Sequence, residues 1–148
     1  MALGFDGDGD HEQRWDYVAP TYEPRIVWRR SVPHNLVMPD FTAMTASLGA
    51  SGYTVTALVT TRDWAASVLS QVAIRHTKTE EESWLNLRAA HLHVAEWLRD
   101  TKVPFYLVHY ESLLKSPESV MGMIAGALCV PPCALPERIT DENAKWLR

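Results

Sequence analysis

Cysteine is scarce in this chain: Cys129 and Cys133 are the only two thiols in 148 residues. They flank Val130, Pro131 and Pro132, and no second Cys or His pair stands nearby at finger spacing. A four-ligand zinc site is therefore excluded, no metal is expected, and both cysteines read as reduced thiols. Basic runs are equally short, with none longer than Arg29-Arg30, and the formal net charge is −4. Such a balance argues against a nucleic-acid partner, so any anion site must be local. No apolar stretch approaches the roughly 20 residues of a membrane span. Met1 is followed by acidic residues instead of a basic signal peptide. The expectation is a soluble, cytoplasmic protein with no membrane contact. There is no internal repeat.

What the chain does have is apolar mass: 47% hydrophobic residues and six tryptophans, enough for one domain with a genuine core. Residues 1–24 stand apart as an acidic and aromatic leader. Its Asp6-Gly7-Asp8-Gly9-Asp10 run resembles the first half of a calcium loop. The required glycine is replaced by His11 and the closing glutamate by Tyr17, so the metal reading fails. Trp15, Tyr17 and Tyr22 make the leader a candidate arm that packs on the domain or docks on neighbouring protein subunits.

The densest chemistry lies between Tyr53 and Ser70. An apolar, β-branched run from Val55 to Val59 passes through Thr60 and Thr61 to Arg62, and a helical pattern begins at once, with Trp64, Val68, Leu69 and Val72 on its apolar side to about His76. In this strand, tight turn and helix, Thr61 is placed to cap and Asp63 sits in the first turn, where a carboxylate suits the helix dipole. The amides of a helix start attract anions. Arg62 adds a planar fork of donors, and Ser70 a hydroxyl two turns on. The competing reading is an arginine paired with a nearby carboxylate and a serine on a solvated face.

A second polar cluster follows Ile26, Val27 and Trp28, a short strand with Arg29, Arg30, Ser31 and His34 at its exit. Ligands gather at such carboxyl ends in open α/β sheets; the alternative is a set of surface charges. Pro39 and Asp40 open a helix through Phe41, Met44 and Leu48, closed by Gly49 and Gly52. Thr79 to Glu82 start another, whose stripe Trp84, Leu87, His91, Val94 and Leu98 makes His91 a core or boundary residue. Phe105 to His109 forms a third strand. Pro117 begins a helix with Val120, Met123, Ile124, Ala127 and Leu128 inward, and residues 139–147 are expected to add a last helical turn or two. The order implies an α/β fold: a small, mainly parallel sheet with helices on both faces. Residues 25–130 form the domain and 131–148 a proline-rich, charged tail.

On these residues the chain resembles the sulfotransferases, which move a sulfuryl group from 3′-phosphoadenosine 5′-phosphosulfate to an alcohol or amine. In that family a strand ends in an arginine that binds the donor's 3′-phosphate together with a serine eight residues later. Arg62 and Ser70 stand in those places, in VTTRDWAASVLSQ. RRSVPHN, residues 29–35, is similar to the family segment carrying the acceptor-side base. FYLVHYESLLKSPESVMGMIAGAL, residues 105–128, is similar to the strand, Tyr-Glu-x-Leu turn and helix that close the core. The likeness spans residues 25–128 and is nearest to short, phage-type members. It implies a truncated P-loop-type core binding 3′-phosphoadenosine 5′-phosphosulfate or adenosine 3′,5′-bisphosphate without metal. Within it His34 would be the base, Arg29 or Arg30 would offset charge on the transferred group, and Arg62 and Ser70 would hold the 3′-phosphate.

The departures are as specific. No Pro-x-Ser-Gly-Thr-Thr type loop precedes Arg25, Ser31 stands where many members place a histidine, and no basic glycine-rich loop follows Leu128. Three outcomes stay open: an enzyme, one half of a split enzyme, or a non-catalytic structural or binding component of a larger assembly such as a phage particle. Their settings would be the host cytoplasm or the virion. The sequence sets no acceptor and no oligomeric state.

Overall fold

The computed structural model describes Val32 and residues 38–131, 134–135 and 139–147. The leader, the strand expected at Ile26 to Trp28, Arg29, Arg30, His34 and Cys133 lie outside the described residues. The order of elements is α1 (Phe41–Ala50), β1 (Ala57–Thr61), α2 (Trp64–Ala73), α3 (Glu80–Thr101), β2 (Phe105–His109), α4 (Tyr110–Lys115) and α5 (Pro117–Ala127). Among the described residues the sheet has two strands, β1 and β2, paired in parallel from Ala57↔Phe105 to Thr61↔His109. A parallel pair cannot be joined by a hairpin, and α2 and α3 supply the crossover. The coarse expectation, α/β with a small parallel sheet, holds.

Helices α1, α2 and α3 start where a short polar side chain supplies the missing acceptor, whereas α4 and α5 have no side-chain cap. Asp40 accepts from the Ala43 amide at 2.9 Å and Thr79 from the Glu82 amide at 3.1 Å. Glu80, Glu81 and Glu82 fill the first turn of α3, the favourable end of its dipole. Lys102 stops α3 in a left-handed conformation, φ 57°, and Arg75 at φ 61° follows the end of α2.

The core packs Phe41 and Met44 of α1 against Trp97 and Leu98 of α3, the Phe41 and Trp97 rings 4.8 Å apart. Ala57 and Val59 of β1, with Val32 and Val103, close on this cluster. Val108, which alternation places on the opposite face from Val59, is buried, while Ala57 and Val59 are half-buried, so both faces of the sheet are at least partly covered.

Several local expectations shift. The strand runs from Ala57, two residues later than the apolar run begins, because pairing with β2 and not β-propensity sets its start. Helix α2 ends at Ala73 and not near His76. The segment after β2 is a helix, α4, in its own right. On α3 the buried positions are Ser83, Leu87, Ala90, Trp97 and Leu98, whereas Trp84 is 43% exposed. The inward stripe is rotated by a residue because Trp84 and His91 lie at the rim, flanking Trp64 at ring distances of 5.4 and 4.7 Å. Met123, expected inward, is exposed, and Ile124 and Ala125 take the inner face of α5.

Candidate functional site at the strand ends

Because β1 and β2 are parallel and in register, their carboxyl ends finish side by side. Thr61 and His109 are paired residues, and Arg62, Asp63, Tyr110 and Glu111 follow them on the same edge of the sheet. Thr61 Oγ1 and His109 Nδ1 are 2.6 Å apart, joining the two strand ends. This corrects the expected role of Thr61: its hydroxyl is spent across the sheet, and Asp63 caps α2, its Oδ1 accepting from the Ala66 amide at 2.8 Å.

Arg62 lies half-buried in the turn. Its Nε–H donates to Ser67 Oγ at 3.2 Å and its Nη2 to the Ala66 carbonyl at 3.0 Å. Ser67 in turn donates its own proton to the Asp63 carbonyl at 2.8 Å, which leaves a lone pair facing the arginine. The described ion pairs, Arg99 with Asp100 and Lys145 with Glu142, do not include Arg62. The reading of Arg62 as one half of a carboxylate pair therefore finds no partner among the described residues. Two donors orient the guanidinium plane, and the rest of the fork makes no hydrogen bond to them.

Ser70 is half-buried, three residues beyond Ser67 and so a neighbour on the same helix face. The structure thus binds Arg62 to Ser67, and among the described residues no hydrogen bond joins Arg62 to Ser70, which lies on the next turn of α2. Arg29, Arg30 and His34 are outside the described residues, so their relation to this turn is not part of the site described.

Beside Asp63, the residue after Arg62, lies a second carboxylate. Glu111 Oε1 accepts from the Asp63 amide at 2.7 Å and from Asn143 Nδ2 at 2.8 Å. Burial pushes the Glu111 carboxyl up. Hydrogen bonds from the Asp63 amide, its own amide and the Asn143 side chain outweigh that burial and the opposing charge of Asp63, so its pKa lies below the ordinary glutamate value. Next to it Tyr110 Oη donates to the Thr140 carbonyl at 2.7 Å and accepts from the Glu142 amide at 2.8 Å. These bonds lay the C-terminal segment over the strand ends. Its turn is closed by the Trp146 amide on the Asn143 carbonyl, 2.9 Å, a hydrogen-bonded turn where a last helical turn or two is expected. Asp63, Glu111, Leu114, Lys115, Asp141, Asn143 and Leu147 line a cleft of about 290 Å³. Three carboxylates against one ammonium make it acidic, and its volume is at the lower limit for small-molecule pockets.

Ser67, His109, Glu111 and Asn143 were not legible as site residues. Tyr110-Glu111 carried a weak family-like signal, and Asn143, thirty-two residues further on, carried none. Compared with known proteins, the chain matches no family model, no curated protein and no solved structure.

Proposed function

We propose that this chain is a sulfotransferase-like α/β domain whose Arg62 turn is a partial site for the 3′-phosphate of a phosphoadenosine nucleotide, either 3′-phosphoadenosine 5′-phosphosulfate or adenosine 3′,5′-bisphosphate. One observation carries the reading. Arg62 stands at a strand-to-helix junction with its guanidinium plane held by Ser67 and Ala66, no carboxylate of the described ion pairs on it, and Ser70 on the adjoining helix turn. A preoriented fork with donors to spare is what bidentate phosphate recognition requires. Sulfuryl transfer would draw on Arg29, Arg30 and His34 as the resemblance implies.

Calorimetry with adenosine 3′,5′-bisphosphate tests the site. Binding is expected to weaken about 10- to 100-fold in Arg62→Ala, the range for removing a charged hydrogen-bond partner, and less in Ser70→Ala. Absence of binding to the parent at millimolar nucleotide, or equal binding by Arg62→Ala, would overturn the proposal.

A second reading, a non-catalytic component of a larger assembly with residues 1–24 as its docking arm, is favoured by the C-terminal segment, which lies where ligands of open α/β sheets gather. A permanently covered strand end has no turnover. Loss of assembly on deleting residues 1–24 would support that reading, and unchanged assembly would refute it.

A further inference from the structure

The hydrogen bonds at the strand ends are shared between the candidate site and the tail. The Asp63 amide is the first donor after Arg62, the position at which an anionic oxygen would be received as α2 begins. It is already occupied, 2.7 Å away, by Glu111 Oε1. The same oxygen holds Asn143 Nδ2, and Asn143 is only 4% exposed, the most buried polar residue among the described residues of the tail. One carboxylate atom thus ties the helix start to residues 139–147. Tyr110, the preceding residue, grips the tail a second time through the Thr140 carbonyl and the Glu142 amide. The tail also changes the charge of the place: Asp141 adds a third carboxylate to a cleft whose fixed walls carry Asp63, Glu111 and Lys115.

We infer that residues 139–147 are a displaceable strap over the strand ends, with Glu111 standing in for a ligand oxygen at the Asp63 amide, so that strap and anionic ligand exclude one another. An oxygen arriving at that amide takes the donor from Glu111. Glu111 then swings away, Asn143 loses its acceptor, and the one-turn segment behind it is held by Tyr110 alone. Removal of Asp141 with the strap lowers the negative charge the ligand meets, which makes opening and binding mutually favourable. The strap rests on the reading of the Arg62 turn as a nucleotide site, and supplies its regulation.

Hydrogen exchange on the full chain separates the two. The amides of Glu142, Asn143 and Trp146 are expected to be protected in the free protein and to exchange about tenfold faster with saturating adenosine 3′,5′-bisphosphate. Tyr110→Phe removes one grip without touching Arg62 or Asp63. It is expected to speed exchange across residues 139–147 and to tighten nucleotide binding about 5- to 100-fold, the fold-change equivalent of the two hydrogen bonds the hydroxyl makes. Nucleotide binding with exchange of the tail unchanged or slowed would overturn the strap and leave the site standing. Absence of binding to either protein would overturn both.

Discussion

Glu111 is the residue on which the strand ends and the tail jointly depend, and replacing it measures how much. In Glu111→Ala two donors lose their acceptor. The Asn143 amide group is buried, and its Oδ1 already lacks a partner among the described residues, so the truncation leaves the whole side chain unsatisfied. A buried donor left unpaired costs about 1–3 kcal/mol. The Asp63 amide is exposed and can turn to water, so its loss costs about 1 kcal/mol. The sum, about 2–4 kcal/mol, corresponds to a drop in Tm of about 5–15 °C for a chain of this size. Glu111→Gln keeps an oxygen in place and loses only the charge assistance, so it should cost about 1 kcal/mol. Urea unfolding followed by tryptophan fluorescence reads both values. Adding Asn143→Ala closes a double-mutant cycle, in which a coupling of about 1–2 kcal/mol is expected for two residues sharing one bond. A cost for Glu111→Ala below about 0.5 kcal/mol, the level of an ordinary surface change, would refute the reasoning, and so would a coupling near zero.

Two further outcomes follow from single features. Since the Glu111 pKa is lowered on folding, its contribution is complete above the ordinary glutamate value of about 4.3 and is lost as the pH falls from there through the folded value. Parent stability should therefore fall more steeply with acid than that of Glu111→Gln; parallel stability-pH curves would contradict the assignment. Lys102 ends α3 at φ 57° and ψ 23°, a region that penalises a side chain and not glycine. Lys102→Gly is expected to be neutral or to stabilise by up to about 1 kcal/mol, and a clear loss in thermal unfolding would show that the lysine side chain contributes more than its backbone conformation costs.

Much of the architecture could be read along the chain because its causes are local. The β-branched run ending in Thr-Thr-Arg, the cap residues Asp40 and Thr79, the acids opening α3 and Pro117 at a helix start all act within a few residues, and each lies within or at the start of an element of the expected type. Local rules blurred where two neighbours offered the same service. Thr61 and Asp63 were both possible caps; the carboxylate took the role because His109, forty-eight residues away, engages the threonine. The tryptophan stripe of α3 misled in the same way. Trp84 satisfies the helical period as well as Ser83 does, yet an indole tolerates a rim position beside Trp64, and the small serine fits inside against Thr77.

The sequence by itself determined most of the element types, their parallel arrangement and the presence of an arginine at a strand-to-helix turn, since periodicity, capping and chain connectivity are properties of short stretches. Only the tertiary structure decided which groups meet beside that turn. The pairing of β1 with β2 set Glu111 against the Asp63 amide, and the return of the tail set Asn143 against Glu111, contacts between residues 32 and 48 positions apart. No local pattern encodes such contacts, because each side chain alone is an ordinary solvated polar group. Their chemistry arises when the fold brings them together and leaves one carboxylate oxygen to bind two donors, one of them on the buried Asn143.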